Sequence, residues 1–382
     1  MSHPMLPQPS HDERAEQLFL RDLKSYIRSE LDPFRSSLSE ILEARALESA
    51  NSVNPDALRE ELFGHEPFRA VVALQRSSQE LLWEAMGECI DRQIDDLNRK
   101  AVTINPKGSL LLNPSLEHPD YMAAWDTHLM PGGFGADEGE GNVRQGALMD
   151  LGGAVYMMGR NGRNGGLMND GRGHSLVSHL YQFFPDLAVR KLAELGCGVG
   201  NTALSVAGYF PDADFTACDM GPSVLRYAHA RAEYMGVPIH FRQANAEATG
   251  LEAGAFDLVF TSVVFHEVSY PAIVNIIHEM HRLLRPGGVA INLDVAGRYE
   301  ELTTWQRISG SLDMDYNNEI GWKASTTADY KSIYRDAGFS DVRVGYQPAA
   351  TSAESGVNAF HEWGYKGVGA SWYISSAQKP SS

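Results

Sequence analysis

Residues 191–204 leave this chain very few ways to fold. A short apolar run ending in Glu194-Leu195 passes into Gly196-Cys197-Gly198-Val199-Gly200 and then into Asn201-Thr202-Ala203-Leu204, which can start a helix. Three glycines at alternate positions, placed where a strand hands over to a helix, remove the Cβ atoms that keep a ligand off the backbone. They also permit the positive φ angles of a tight turn. Open α/β sheets carry such turns, and bind their ligands at the carboxyl ends of the strands near the point where strand order reverses.

The remainder of residues 175–375 agrees with that architecture. The pattern predicts strands at Lys191–Leu195, 214–218, 238–242, 256–263 and 289–294, with 341–346 and 369–375 as the last two. Helices are predicted over 175–184, where Pro185 stops the helix, and over 222–235, 271–284 and 328–337, the last capped by Gly338. Near-continuous apolar strands separated by helices imply a mostly parallel sheet covered on both faces.

Three regions follow. Residues 1–100 read as a helical N-terminal domain, with Leu18, Phe19, Leu23, Tyr26 and Ile27 at helical spacing and a longer pattern from Phe68 to Leu97. No chemistry is visible there, and the expected role is packing or homodimerisation. Residues 101–174 read as an irregular connector, about a third glycine over 131–173, and form either an active-site lid or a plain link. Tyr121, Trp125, His128, Phe134, Tyr156, Met157, Met158 and Met168 lie in it, with Arg144, Arg160, Arg163 and Arg172. Residues 175–382 form the ligand-binding domain. The net charge of −17 opposes nucleic acid or an anionic membrane as partner. Three cysteines, Cys89, Cys197 and Cys218, make neither a metal-ligand spacing nor a disulfide framework, and a cytoplasmic location is the default. The polar, Pro-rich start has no apolar core of a signal peptide.

The strand ends supply a consistent set of side chains. Asp219 follows the second strand, where a carboxylate can grip ribose hydroxyls. Asn245-Ala246-Glu247 follows the third, where a polar side chain and the backbone can read an adenine edge. Thr261-Ser262-Val263-Val264-Phe265-His266-Glu267 follows the fourth. A nicotinamide dinucleotide needs G-x-G-x-x-G so that its pyrophosphate meets a helix N-terminus. This chain has G-x-G-x-G preceded by Glu194, an acid that repels a pyrophosphate. It suits S-adenosylmethionine, which has no phosphate and carries a cationic sulfonium and an amino-acid tail.

With these residues in view, the segment from Leu192 to Gly200 resembles motif I of the class I S-adenosylmethionine-dependent methyltransferases of small-molecule type. Asp219 matches the family's acidic residue. Asn245-Ala246 is similar to its adenine motif, which more often reads Asp-Ala. Phe256-Asp257-Leu258-Val259-Phe260 and Leu283-Leu284-Arg285-Pro286-Gly287-Gly288 are similar to two further motifs in the right order. The resemblance covers about residues 175–375. It implies an α/β, Rossmann-like, doubly wound, seven-stranded mostly parallel sheet preceded by the helical domain. It also implies S-adenosyl-L-methionine as cofactor, with S-adenosyl-L-homocysteine as product. The cofactor-binding set is then Glu194, Gly196, Cys197, Gly198, Gly200, Asp219, Met220, Asn245, Ala246 and Thr261.

Methyl transfer from a sulfonium is an in-line displacement that asks for alignment, exclusion of water and sometimes removal of a proton. Some O-methyltransferases resemble this chain in placing a His followed by an acid after the fourth strand. His266 is accordingly expected as a general base, with Glu267 orienting it; a structural role for both is the competing reading. His278 and His281 lie at i, i+3 with no third partner, and no metal site is expected. The acceptor, a small molecule with aromatic or carboxylate character, should be enclosed by the glycine-rich segment and two late insertions. These contain Arg298, Tyr299, Trp305, Arg307, Tyr316 and Trp322, and then Phe360, His361, Trp363 and Tyr365. Other reactions on the same fold (cyclisation, decarboxylation, group removal) and plain cofactor binding are the alternatives.

Overall fold

The computed structural model describes residues 3–102, 105–161, 171–366 and 370–381, with side chains 157–161 left aside. Eight strands form one sheet: β1 (Ser109–Leu111), β2 (Lys191–Leu195), β3 (Asp214–Asp219), β4 (His240–Gln243), β5 (Phe256–Ser262), β6 (Leu284–Asp294), β7 (Ser340–Pro348) and β8 (Ser371–Gln378). Their order is β1-β4-β3-β2-β5-β6-β8-β7. Pairings from β1 to β6 are parallel, and β8 runs antiparallel between β6 and β7. Strand order reverses between β2 and β5, so the crevice for a ligand opens over Leu195 and Ser262.

The strand count departs from the expected seven. The extra strand is β1, in the segment read as irregular. Glu233 anchors it by accepting the backbone N–H groups of Lys107 (2.8 Å) and Gly108 (2.7 Å). Gly108 is required, because a Cβ there would lie 2.1 Å from the carbonyl oxygen of Ile239. The apolar run there is only Leu110-Leu111-Leu112, too short to state a strand by itself; pairing with β4 supplies the structure.

Every residue of β5 is buried, which explains its unbroken apolar run: both faces of the sheet are covered. One layer packs Ile273, Ile276, Ile277 and Met280 of the helix Tyr270–Leu283 against Val259 and Ala290. The other packs Leu176, Leu180, Leu225 and Ala228 against Leu192, Phe260 and Ile291. Burying each such side chain contributes about 1.5–3 kcal/mol.

The glycine-rich segment is more regular than its composition suggests. Residues Arg144–Asn161 form an 18-residue helix. Two of its glycines serve close packing: a Cβ on Gly146 would sit 2.3 Å from the Cβ of Tyr227, and one on Gly152 would sit 2.2 Å from the ring of Trp83. Arg144 is not directed at a substrate; it makes a two-pronged ion pair with Asp91 (2.6 and 3.0 Å). Met168 and Arg163 lie outside the described residues, as do the side chains of Met157, Met158 and Arg160.

The helices of residues 3–101 pack against the sheet domain. Leu82, Met86 and Ile90 of the helix Glu66–Asp91 meet Ala147, Leu151 and Tyr227. Leu42, Leu62 and Phe68 meet Trp305, Ile308 and Leu312. Among the described residues no helix is long and apolar enough to cross a membrane.

Candidate active site

A cavity of about 1100 Å³ lies over the carboxyl ends of β2, β3, β4 and β5. Of the residues singled out from the sequence, Glu194, Gly196, Cys197, Gly198, Asp219, Met220, Asn245, Ala246, His266 and Glu267 line it. Gly200 and Thr261 do not. Gly200, at φ +78°, is the N-cap of the helix Asn201–Ala207 and acts by turning the chain. Thr261 is fully buried and donates to Asn292 Oδ1 at 2.8 Å. Successive strand side chains alternate between faces, and Ser262 faces the cavity instead, where it accepts from Thr202 at 3.1 Å.

The glycine loop is held from below. The N–H groups of Gly196 and Cys197 both donate to the carbonyl of Cys218, at 2.8 and 2.9 Å. Gly196 and Gly198 have φ of +77° and +52°, a region that side chains disfavour. A Cβ at Gly196 would lie 2.6 Å from Val264, and one at Gly198 would lie 2.8 Å from Met149. The loop is therefore a cradle that any side chain would fill. Asp219 accepts from Gly198 N at 2.8 Å through Oδ2 and from Gly221 N at 3.0 Å through Oδ1. One carboxylate thus ties the loop to the end of β3 and keeps lone pairs for a ligand. Burial pushes its pKa up, against the pull of those N–H groups.

Glu194 is 1% exposed, and its Oε2 has no partner among the described residues. Burial, with Asp219 adding to it, holds its carboxyl well above the usual range, and Arg172 pulls the other way. Arg172, in the first turn of the helix Gly171–Phe183, lines the same end of the cavity, and its buried Nε also lacks a partner among the described residues. A buried carboxyl and a half-buried guanidinium, each with an unfilled hydrogen-bonding position, fit a zwitterionic amino-acid tail. Asn245 uses Oδ1 to accept from Glu247 N at 2.9 Å, which leaves its amide N–H groups for a base edge. The residues present thus fit the cofactor expected from the sequence.

At the other end, Val263 adopts φ +56°, strained for a β-branched residue. This bend turns the chain after β5 so that His266 is buried beside Asp294. Nδ1 of His266 lies 2.6 Å from Asp294 Oδ1, and its Nε2 lies 3.0 Å from Glu267 Oε1. His128, read from the sequence only as part of the 101–174 segment, and Glu319, not singled out there, complete the cluster. His128 Nε2 is 2.8 Å from the same Glu267 Oε1, and His128 Nδ1 is 2.7 Å from Glu319 Oε1. Burial alone would push both rings' pKa values down; the carboxylates outweigh it and hold both well above the ordinary histidine range. Glu267 is held below the usual carboxylate range by the two rings, against its burial.

His128 itself has φ +58°. Its carbonyl accepts from Trp83 Nε1 at 2.6 Å and from Gln79 Nε2 at 3.1 Å, so the helix Glu66–Asp91 clamps it in place. Residues 1–100, from which no chemistry was expected, therefore support the site and line the cavity through Lys24, Val72 and Trp83. Of the late aromatics, Trp305, Tyr316, Trp322 and Tyr365 reach the cavity. Arg298, placed with them from sequence, instead donates to the carbonyls of Glu362 (2.6 Å) and Val344 (2.7 Å) and stacks on Trp363.

The family model described as "Methyltransferase domain" matches residues 192–288. The chain is 30% identical over 154 residues to an uncharacterized methyltransferase of Synechocystis, covering 40% of this chain and 68% of that protein. It is 31% identical over 157 residues to an uncharacterized protein of Mycobacterium tuberculosis, 40% of this chain and 54% of the other. The chain thus spans about half to two thirds of the length of these relatives. Among solved structures, the Haemonchus contortus phosphoethanolamine N-methyltransferase 2 in complex with S-adenosyl-L-methionine is similar, at 17% identity and a TM-score of 0.43 over 60% of this chain and 57% of that one.

Proposed function

This chain belongs to the class I S-adenosylmethionine-dependent methyltransferases, and from that premise we propose that it methylates a small-molecule acceptor, preferentially at oxygen, by in-line displacement. When bound, S-adenosylmethionine supplies an electrophilic methyl group on a cationic sulfur. The protein's own tasks are to hold the two ends of the cofactor, align the acceptor and keep water out. We assign Asp219 to the ribose hydroxyls, Asn245 and the backbone of Ala246 to the adenine edge, Glu194 to the ammonium group and Arg172 to the carboxylate of the tail.

The observation that carries the reading is continuity. One cavity joins Glu194 and Asp219 to His266, Glu267 and the aromatic walls of Trp305 and Trp322. His266 and Glu267 are assigned to the acceptor. Both nitrogens of His266 face carboxylates, so in this arrangement the ring positions Glu267. It can serve as a base only once Nε2 has lost its proton. We assign to Glu267 Oε2, buried and without a partner among the described residues, the task of accepting the O–H of an acceptor and orienting its oxygen.

Incubation with methyl-labelled cofactor and a panel of hydroxylated aromatic and carboxylate-bearing acceptors tests the proposal. The expected result is S-adenosylhomocysteine formed in step with a labelled product, and His266→Ala lowering turnover ~10²-fold or more. Cofactor binding with no S-adenosylhomocysteine from any acceptor would mean that methyl transfer is the wrong reaction.

A further inference from the structure

Two imidazole rings converge on one carboxylate oxygen in the cavity, and a second carboxylate stands behind each ring. Nε2 of His128 and Nε2 of His266 point at the same Oε1 of Glu267, at 2.8 and 3.0 Å. The other nitrogen of each ring already faces a second carboxylate, Glu319 for His128 and Asp294 for His266. A neutral imidazole carries one N–H. With both rings protonated, each N–H meets a carboxylate oxygen; with one proton per ring, on Nδ1, both Nε2 lone pairs are directed at Glu267 Oε1 with no hydrogen between them.

A dication can take the place of the two Nε2 protons. It makes ligands of both Nε2 lone pairs and of Glu267, leaves the Nδ1–H bonds to Glu319 and Asp294 intact, and gives the cluster the same net charge as two ring protons. We propose that His128, His266 and Glu267 bind a divalent first-row transition metal, with Glu319 and Asp294 as the carboxylates that orient the two rings.

Three observations support this. Two imidazoles and one carboxylate, with open positions left over, are a donor set suited to such ions, and an outer carboxylate on each ring fixes its tautomer and raises its basicity. The dimensions also fit. Bonds of about 2.0–2.2 Å separate neighbouring ligands by about 3–3.5 Å, and the donor atoms of His128, His266, Glu267 and Glu319 lie within 4.8 Å of one another. Finally, Oε2 of Glu267 and Oε2 of Glu319 are buried with no partner among the described residues, Glu319 being 8% exposed. Two such oxygens beside one cluster call for a cation or a water bound to it. The open positions face the cavity and suit an oxygen donor of the acceptor, which the metal would polarise. That last assignment rests on the methyl-transfer reading; the metal site does not.

The test strips the full chain with a chelator and titrates Co²⁺, read by visible absorption and calorimetry, with S-adenosylhomocysteine binding as the check on folding. One equivalent of Co²⁺ with ligand-field bands, displaced by Zn²⁺, is expected. His128→Ala/His266→Ala should weaken uptake by at least on the order of a hundredfold, and Glu319→Gln by roughly ten- to a hundredfold, with S-adenosylhomocysteine still bound. Wild-type protein that binds S-adenosylhomocysteine but takes up no Co²⁺ overturns the proposal. So does a Co²⁺ spectrum unchanged in the folded double variant; if that variant fails to fold, the wild-type and Glu319→Gln titrations decide. Uptake as expected with no acceptor methylated upholds the metal and removes the methyl-transfer reading.

Discussion

Asp219→Asn separates the two tasks placed on one carboxylate. Its oxygens accept from Gly198 N at 2.8 Å and from Gly221 N at 3.0 Å. An asparagine keeps one acceptor and turns an NH₂ group toward the other N–H. One hydrogen bond to a charged group is lost, about 1.5–3 kcal/mol, and a donor now opposes a donor. Urea unfolding should therefore show a loss of roughly that size without ligand. The ribose contact proposed for Asp219 would likewise be a bond to a charged group. At 1.4 kcal/mol per factor of ten, S-adenosylhomocysteine should bind roughly 10- to 150-fold more weakly by calorimetry. Adenosine, which has the ribose and lacks the amino-acid tail, should lose the same factor. An Asp219→Asn protein that binds both ligands within twofold of wild type, with unchanged unfolding, would refute the assignment of Asp219 to the loop and to the ribose together.

Glu194→Gln should weaken S-adenosylhomocysteine roughly tenfold or more by removing a charge-assisted bond to the tail ammonium, and leave adenosine affinity unchanged; equal losses for both ligands would count against the tail assignment. Gly146→Ala places a Cβ 2.3 Å from that of Tyr227 and should cost about 1–3 kcal/mol in urea unfolding; wild-type stability would mean that this helix packing is not needed. His179 is fully buried against Ser376 Oγ at 2.8 Å, and its burial pushes the pKa down from 6.5 to about 3. Because the unfolded chain then binds the extra proton, the contribution is complete above about pH 6.5. It is lost as pH falls toward 3, at up to about 1.4 kcal/mol per unit. His179→Gln should flatten that slope, and an unchanged pH profile would show that His179 does not set it.

Much of the cofactor half was legible in the sequence, because it is local. Glu194, the glycines and the helix start at Asn201 lie within a few residues of one another, and the spacing itself states the turn. Asp219, Asn245 and His266 each stand at or just after the end of a strand, the one before His266 being the most strongly apolar. Thr261 was misplaced for a reason intrinsic to strands, since a shift of one residue moves a side chain to the opposite face. The acceptor half was legible only in part: His266, Glu267 and four of the late aromatics were named, but the partners of His266 across the cavity were not. His128, His266 and Glu319 are far apart in the chain, and only the packing of the helix Glu66–Asp91 and the loop before Trp322 brings them together. Glycine misled in the same way: at Gly146 and Gly152 it marks close contact between helices, which composition cannot distinguish from a flexible link.

Trp83 joins two functions in one side chain. Its ring fills the space left by Gly152, and its indole N–H holds the carbonyl of His128. The helix Glu66–Asp91 is thus tied to the cavity wall through this one side chain. Grafting the N-terminal hundred residues of a relative onto this sheet would carry over a cover but leave His128 without its clamp. A substitution at Trp83 therefore disturbs two places at once, the helix contact at Gly152 and the backbone of the 128 loop.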